Sequence, residues 1–262
     1  LPALRPYYPA TFGRYIEPFF GSGAVFFDLW EQGRLEGHEV LLVDSNPDLV
    51  GCYHVVRDEP DAVADALERL AAGHAAGGRT HYYDVRDARF NPERQAARLP
   101  DGRIEYTPDL AAMLVYLNRT GFNGLFRVNA SGAFNVPAGR YQRPRIAERE
   151  RVHRVAAALR APGVTVEWGS FAAVSAVATA GDFLYIDPPY APVSQTSNFT
   201  SYTALRFGPE EQASLQRLVL AQFALRPCHR SHRNLHHRGD GQRAPHLGQL
   251  LGAELDQSTL HL

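Results

Sequence analysis

The tetrapeptide with the most specific chemistry in this sequence is Asp187-Pro188-Pro189-Tyr190, which follows the apolar residues 183–186. Two prolines after a buried strand end its pairing and stiffen a short turn. The turn would hold a carboxylate, a free proline carbonyl and an aromatic ring together. This set suits a planar exocyclic amine, because each acceptor takes one N–H while the ring stacks on the heterocycle. We therefore expect a catalytic turn that leaves the amine nitrogen free to attack an electrophile.

A glycine turn, Gly21-Ser22-Gly23, is the second candidate site and follows two phenylalanines. Glycines allow the backbone to approach a ligand closely, although an ordinary turn between a strand and a helix has the same composition. The third glycine of G-x-G-x-x-G is missing, which argues against a dinucleotide-binding fingerprint.

A carboxylate about 20 residues beyond a glycine turn is the third candidate, because an acid there can accept both hydroxyl hydrogens of a ribose. Asp44 holds this position, at the end of the apolar residues 40–43. The alternative is a helix or turn cap, since Asp-Ser-Asn-Pro also favours a turn.

The apolar pattern predicts the elements that position these groups. Strands are expected at 15–16, 40–43, 164–166 and 183–186, and a helix at 24–30. Ligands bind at the carboxyl ends of the strands in open α/β sheets, so the three candidates are expected at one edge.

The chain between the second and third strands has a different pattern. Helical spacing predicts helices at 61–70 and 110–117, whereas 73–78 is expected to be a loop. Residues 118–145 are rich in Asn, Gly and Arg and are expected to form a hairpin and loops. The fold class is therefore α/β with a mainly helical insert.

Composition excludes several classes of protein. All 27 basic residues of the 262 are arginine, so no Schiff base or phosphate-loop lysine can form. Cys52 and Cys228 have no CxxC spacing, so neither a disulfide framework nor a zinc site is indicated. No apolar run approaches the roughly 20 residues of a membrane span. We expect a soluble, cytoplasmic protein without a membrane partner.

The net charge of −1 conceals a basic segment. Residues 118–145 contain five arginines and no acid, together with four asparagines and several phenylalanines. Arginine can recognise guanine, asparagine can recognise adenine or an orphaned base, and an aromatic ring can fill the gap left by a flipped nucleotide. Phe122, Phe126 and Phe134 are the aromatic candidates. This pattern predicts a nucleic-acid interface, although a solvated basic loop is possible.

Five blocks in this order resemble the Dam-type family of DNA adenine-N6 methyltransferases, the D12 class. The resemblance covers residues 1 to about 222 and rests on 17–23, 43–49, 117–129, 134–141 and 187–192. It implies a Rossmann-like class I methyltransferase sheet with an inserted DNA-recognition domain. It also implies methyl transfer from S-adenosylmethionine to N6 of adenine in duplex DNA, with GATC as the expected target and without a metal. The implied division is a split catalytic domain at 1–52 and 161–225, a recognition insert at 53–160 and an aberrant or disordered tail at 226–262.

The resemblance also implies roles for the residues that match its motifs. Phe19, Gly21 and Gly23 would wall the cofactor pocket, and Asp44 would hold the ribose. The catalytic turn, Asp187, Pro188, Pro189 and Tyr190, would grip the flipped adenine, with Asp187 also near the cofactor. Residues 199–202 resemble the loop that closes over this base.

The insert supplies the implied DNA contacts. Phe122 would be the wedge, Asn123 would contact the orphaned base, and Arg119 belongs to the same basic surface. The residues expected to read the sequence are Leu125, Arg127, Pro137 and Arg140.

The sequence departs from the family at both ends. The family usually begins with a Lys-Trp-x-Gly-Gly-Lys segment, and this chain starts after the place it would occupy. Residues 222–262 do not match the family's later strands, from which we expect a frameshift or mis-joined end near residue 222. Four histidines at 229–237 lack an accompanying ligand pattern, so no metal site is expected there.

Three alternatives stay open from the sequence. The acceptor could be cytosine N4, an amine in RNA or protein, or the chain could be an inactive DNA-binding remnant. We expect a monomer that acts on double-stranded DNA without an obligate protein partner, in a bacterial or phage context that includes restriction–modification.

Overall fold

A parallel four-stranded sheet lies at the centre of the computed structural model, which describes residues 1–189 and 208–224. The strand order is β3-β2-β1-β4, and Tyr15 of β1 pairs with Val40 on one side and Phe183 on the other. The α/β class expected from the apolar runs is confirmed. The strands are β1 (Tyr15–Glu17), β2 (Val40–Asp44), β3 (Val164–Trp168) and β4 (Phe183–Leu184).

The fourth strand is shorter than the predicted 183–186. Its last bond to β1 is the one that the Tyr185 N–H donates to the Ile16 carbonyl, at 3.0 Å. Pro188 and Pro189 follow and have no N–H to donate, which ends the pairing. The chain therefore leaves the sheet just before Asp187.

Seven α-helices occur within the described residues, five of them between β2 and β3. A π-helical turn, Asp84–Phe90, joins the third helix to the fourth, and short 3-10 turns occur at Arg5–Tyr7, Phe122–Gly124 and Phe171–Ala176. The helices are α1 (Ala24–Glu31), α2 (Pro47–Asp58), α3 (Pro60–Tyr83), α4 (Asn91–Ala96), α5 (Pro108–Thr120), α6 (Arg149–Leu159) and α7 (Pro209–Ala224). None of these is both long and apolar enough to cross a membrane.

Local sequence explains where two of these helices begin. In α2, the Asn46 side chain accepts a hydrogen bond from the Asp48 N–H at 3.0 Å, and in α5 Thr107 Oγ1 accepts one from the Leu110 N–H at 3.2 Å. A proline follows each cap at the first helical position, where its missing N–H costs nothing. Helix α2 begins before residue 52, so the proposed insert at 53–160 starts within it.

The predicted loop at 73–78 is wrong, because α3 continues to Tyr83. Alanines around Gly73 favour the helix and outweigh the glycines. The helix bends only at Gly78, whose backbone (φ 52°, ψ −126°) is one that glycine tolerates. The bend places the His81 ring where a side chain at residue 73 would lie, so both glycines shape the kink.

A buried ion pair joins the start of α2 to the insert. Arg94 on α4 donates to both oxygens of Asp48, with Nη2 2.7 Å from Oδ2, and the two side chains are 5% and 1% exposed. The Tyr106 hydroxyl also donates to Asp48 at 2.8 Å, and Arg94 Nη1 donates to the Gly132 carbonyl at 2.6 Å. The pair thus connects α2, α4 and the hairpin that contains Gly132.

Replacing one partner should reveal how much stability this pair supports. We expect Arg94→Met to lower the free energy of unfolding by about 3–5 kcal/mol, because Asp48 would stay buried without its cation. Urea unfolding measures this change. Arg103→Met is the matched control, since Arg103 pairs with Asp101 on the surface and should lose no more than about 1 kcal/mol. Equal losses in the two variants would contradict the prediction.

Candidate functional site

Three groups predicted to do chemistry meet at the carboxyl edge of the sheet. The glycine turn leaves β1, Asp44 ends β2, and Asp187 follows β4, and these three strands are adjacent. Charges on Asp44 and Asp187 both act on Glu17 at the end of β1, which indicates that the three acids lie close together. The topology therefore forms one site from segments far apart in sequence.

Asp44 is tied directly to the glycine turn. Its Oδ2 accepts the Gly21 N–H at 2.7 Å, and its Oδ1 accepts the Asn46 N–H at 2.8 Å. Burial raises the pKa of the Asp44 carboxyl, and the backbone hydrogen bonds oppose that rise. A carboxylate can accept about four hydrogen bonds, so Asp44 keeps acceptor capacity for a ligand hydroxyl.

The two glycines of the turn have different physical roles. Both have positive φ, +48° at Gly21 and +65° at Gly23. A Cβ at Gly23 would lie 2.5 Å from the Phe20 ring, so the chain itself requires glycine there. A Cβ at Gly21 would meet only the Phe19 carbonyl oxygen, at 3.8 Å, which leaves space beside Asp44. Gly21 is thus the position where the backbone could approach a ligand.

An aromatic wall borders the same edge. Phe19 is half-buried and stacks on Phe171, with ring centroids 5.0 Å apart and an angle of 24° between the planes. Phe171 belongs to the short turn that follows β3. No local pattern in the sequence marks Phe171, because only the parallel pairing of β3 with β2 brings it to this edge.

The catalytic turn is described only in part. Asp187 is exposed, yet partial desolvation by the surrounding protein raises the pKa of its carboxyl. Pro188 is half-buried and Pro189 is exposed. Tyr190, the closing loop at 199–202 and the tail at 226–262 lie outside the described residues, so their predicted roles stay predictions.

Two stretches of the insert are hydrogen-bonded side by side and form the predicted reading surface. The Phe122 N–H donates to the Pro137 carbonyl at 2.8 Å, and the Gly139 N–H donates to the Thr120 carbonyl at 2.8 Å. Pro137 and Arg140 are exposed, whereas Leu125 is half-buried. We call the exposed face of residues 120–127 and 135–140 the recognition face.

The predicted wedge lies on the recognition face, at the end opposite to the hairpin turn of residues 129–132. Phe122 is 48% exposed, so its ring is accessible from solvent. The next residue, Asn123, has φ +53° and is the one described non-glycine residue with positive φ. Asparagine adopts this left-handed conformation more readily than most residues, and its contact with an orphaned base stays a prediction.

The other two phenylalanines of the segment do not face solvent. Phe126 and Phe134 are 4% and 1% exposed and contact each other in the core, with centroids 5.6 Å apart. Their interpretation as candidate wedges is therefore wrong, since the hairpin needs them for its own packing.

Two arginines predicted to contact DNA have partners within the chain. Arg127 Nε donates to Asn135 Oδ1 at 2.8 Å, which fixes its guanidinium across the hairpin. Arg119 has a side chain only 10% exposed and pairs with Glu148 at 2.7 Å. It thus supports the segment before α6, and its contact with DNA stays a prediction.

Comparison with known protein families identifies the family of this chain. Residues 1–235 match the family described as D12 class N6 adenine-specific DNA methyltransferase. The chain belongs to this family. The match extends beyond residue 222, where the sequence analysis ended the resemblance.

Several known methyltransferases are similar to this chain in sequence. The type II methyltransferase M1.LlaDCHI of Lactococcus lactis subsp. cremoris is 35% identical over 82% of this chain and 70% of its own length. The type II methyltransferase M.MjaIII of Methanocaldococcus jannaschii is 36% identical, over 77% and 67%. The DNA adenine methylase of Escherichia coli K12 is 34% identical, over 78% and 66%. The chain therefore spans about two thirds of the length of these relatives.

Membership of the D12 class confirms the predicted reaction, the methylation of adenine N6 in DNA, and the predicted methyltransferase fold. It favours this reaction over the alternative acceptors, cytosine N4 and RNA. Within the described residues, no group of three His, Cys, Asp or Glu side chains could hold a metal ion.

A buried acid of this site escaped the sequence analysis. Glu17 is 2% exposed at the end of β1, and its Oε2 accepts a hydrogen bond from the Tyr15 hydroxyl at 2.6 Å. Burial raises the pKa of Glu17 to about 8, the Tyr15 bond opposes the rise, and Asp187 adds to it. The position directly before Pro18 and the glycine turn was the available signal.

The titration of Glu17 should make stability depend on pH. Its pKa is raised on folding from 4.5 to about 8, so its contribution is complete below about pH 4.5 and is lost as pH rises to about 8. The free energy of unfolding should fall in this window by at most about 1.4 kcal/mol per pH unit. Glu17→Gln should remove this component, whereas Glu105→Gln, at an exposed site, should keep it. Urea unfolding across the window tests this, and parallel curves for Glu17→Gln and wild type would contradict it.

Proposed function

We propose that this chain transfers a methyl group from S-adenosylmethionine to N6 of adenine in duplex DNA, within the sequence GATC. The observation that carries the proposal is the 2.7 Å hydrogen bond from the Gly21 N–H to Asp44, at the sheet edge where Asp187 emerges. This hydrogen bond joins Gly21 and Asp44, two predicted cofactor-binding residues, near the predicted catalytic acid Asp187. The GATC target rests on the resemblance of residues 117–141. Monomeric action and the division at 53–160 stay predictions from the same resemblance.

The residues at the edge fit this cofactor. Asp44 keeps acceptor capacity for a ribose hydroxyl, and the space at Gly21 admits a ligand next to it. The stacked rings of Phe19 and Phe171 offer an apolar wall for a flat base. When bound, the cofactor supplies a methyl group activated by a cationic sulfur, and the negative charge of Asp187 suits that cation.

Asp187 and the proline turn are suited to hold the target amine. The carboxylate accepts one N–H and the Pro188 carbonyl can accept the other, which directs the nitrogen lone pair towards the methyl group. The new N–C bond forms as the sulfur–carbon bond breaks, and the nitrogen then releases one proton. The raised pKa of Asp187 makes its carboxylate a better acceptor for that proton than an ordinary aspartate.

Transfer of a tritiated methyl group to duplexes with and without GATC tests the proposal. We expect label only on the GATC duplex, recovered as N6-methyladenine. Label on cytosine, on RNA or on GATC-free DNA would identify one of the alternative acceptors. If a folded sample releases no heat on titration with S-adenosylmethionine, the chain is an inactive DNA-binding remnant.

Asp187→Asn tests the role of the carboxylate. We expect kcat to fall by roughly 100-fold or more, because the amide is a weaker acceptor and cannot take the proton. Asp58→Asn removes a carboxylate at an exposed ion pair and should leave the rate unchanged. A kcat for Asp187→Asn within a few-fold of wild type would refute the assigned role.

A wedge at Phe122 can be tested separately from the chemistry. Opening the duplex costs a few kcal/mol, so Phe122→Ala should lower kcat/KM by about tenfold or more. The deficit should shrink on a duplex with a mismatch opposite the target adenine, which is already unpaired. Tyr7→Ala removes another exposed ring, 77% exposed, and should behave as wild type. A deficit of equal size on matched and mismatched duplexes would argue against the wedge.

A further inference from the structure

A cleft borders the recognition face on the side away from the hairpin tip. It has a volume of about 630 Å³ and lies between the kinked end of α3 and the segment that leads into α6. The residues of its wall that matter here are Arg79, Gly139, Tyr141, Arg143, Arg145 and Glu148. We call it the α3 cleft.

The α3 cleft carries uncompensated positive charge. Within the described residues, neither Arg79 nor Arg143 has an acidic partner, and both are exposed. The acid in the wall, Glu148, already pairs with three arginines, namely Arg119 at 2.7 Å, Arg151 at 3.3 Å and Arg145 at 3.8 Å. An exposed group of guanidiniums without a counter-charge favours an anionic ligand.

The kink in α3 supplies one of these cations. Gly78 turns the chain, and Arg79 follows with its Nη2 3.4 Å from the Tyr83 hydroxyl and its guanidinium 6.0 Å from the Tyr83 ring centre. The hydroxyl acts as an acceptor for Arg79, which lowers the pKa of Tyr83. Arg79 is thus held at the rim by a neutral ring, and its charge stays available.

The α3 cleft is continuous with the recognition face. The Gly139 N–H bond to Thr120 ties the wall of the cleft to the strand-like pair that carries Phe122, and Arg140 is the next residue. The Tyr141 ring covers Gly139, where a Cβ would lie 2.5 Å from it, and the ring is 48% exposed. The backbone of a duplex lying on the recognition face would therefore pass the mouth of the α3 cleft.

We propose that the α3 cleft binds backbone phosphates of the DNA that flanks the target, with Arg79 and Arg143 as the contacting residues. Guanidiniums match phosphate oxygens in geometry and charge, and such contacts position a protein on DNA without reading its sequence. The inference rests on the proposed function, because it assigns the flanking DNA of that same substrate. It adds a site that the resemblance did not assign.

The length of the duplex separates flanking contacts from target contacts. Fluorescence anisotropy would compare a short duplex, ending just outside the target, with one about twice as long, for wild type and for Arg79→Gln/Arg143→Gln. Wild type should bind the long duplex more tightly, and the double variant should lose most of that gain. Each phosphate contact makes the affinity fall by a further factor of about 3.5 when the salt concentration rises fourfold. Loss of two contacts should therefore make the fall in affinity for the long duplex smaller by roughly tenfold.

Two controls account for net charge and for geometry. Arg69→Gln/Arg103→Gln makes the same change in net charge but removes exposed arginines that already pair with acids, and it should keep the wild-type gain. Arg69 lies two residues before the α3 face formed by 71, 74, 75 and 78, which points it away from the cleft. Arg79→Lys/Arg143→Lys should retain most of the salt dependence, because the charges stay.

The outcomes distinguish this inference from the proposed function. The inference is overturned if Arg79→Gln/Arg143→Gln gains as much affinity from the longer duplex as wild type and has the same salt dependence. This holds even if wild type methylates GATC. An equal loss on short and long duplexes would also overturn it, since the contacts would then lie within the target. Wild type that binds duplex but transfers no methyl group would instead contradict the proposed function.

Discussion

The buried ion pair between Asp48 and Arg94 is the constraint on which the arrangement of this methyltransferase depends. Asp48 lies in the first turn of α2, four residues after Asp44, and Arg94 reaches from it to the carbonyl of Gly132 in the hairpin. A charge buried this deeply is tolerated only with its partner in place, so the insert must lie where Arg94 meets Asp48. One interaction thereby fixes the hairpin relative to the end of β2.

This constraint matters because the candidate functional groups lie at strand ends or on irregular backbone. Asp44 is the last residue of β2. Gly21 and Phe122 occupy turns, and Asp187 follows the end of β4. Turns hold a geometry only where side chains and buried hydrogen bonds fix them, and methyl transfer loses rate with displacements of about an ångström. The Gly21–Asp44 bond fixes the proposed cofactor side, and the Asp48–Arg94–Gly132 connection fixes the proposed DNA side. The two meet in a single stretch of five residues, 44–48.

Local patterns in the sequence were sufficient for the strands, the glycine turn and the edge at which they meet. One error is a misjudged local preference, and the others involve contacts between distant residues. The glycines at 73–78 suggested a loop, whereas alanine content kept α3 helical and concentrated the bend at Gly78. Phe126 and Phe134 belong to the same Asn-, Gly- and Arg-rich segment as Phe122, and only the packing of the hairpin buries them. Glu17 and Phe171 reach the site through parallel pairing of strands, which no local pattern specifies.

The distribution of charge shows most clearly that local sequence does not determine which residues share a surface. The basic segment 118–145 predicted a DNA interface, and the D12 class confirms DNA as the substrate. Yet Arg119, counted in that segment, is neutralised by Glu148 from just beyond it, whereas Arg79, outside the segment, is brought to the same face by the kink in α3. The positive surface is therefore a property of the tertiary fold. Since phosphates respond to the charge in their vicinity and not to its position in the sequence, a chain of net charge −1 can present a surface suited to DNA.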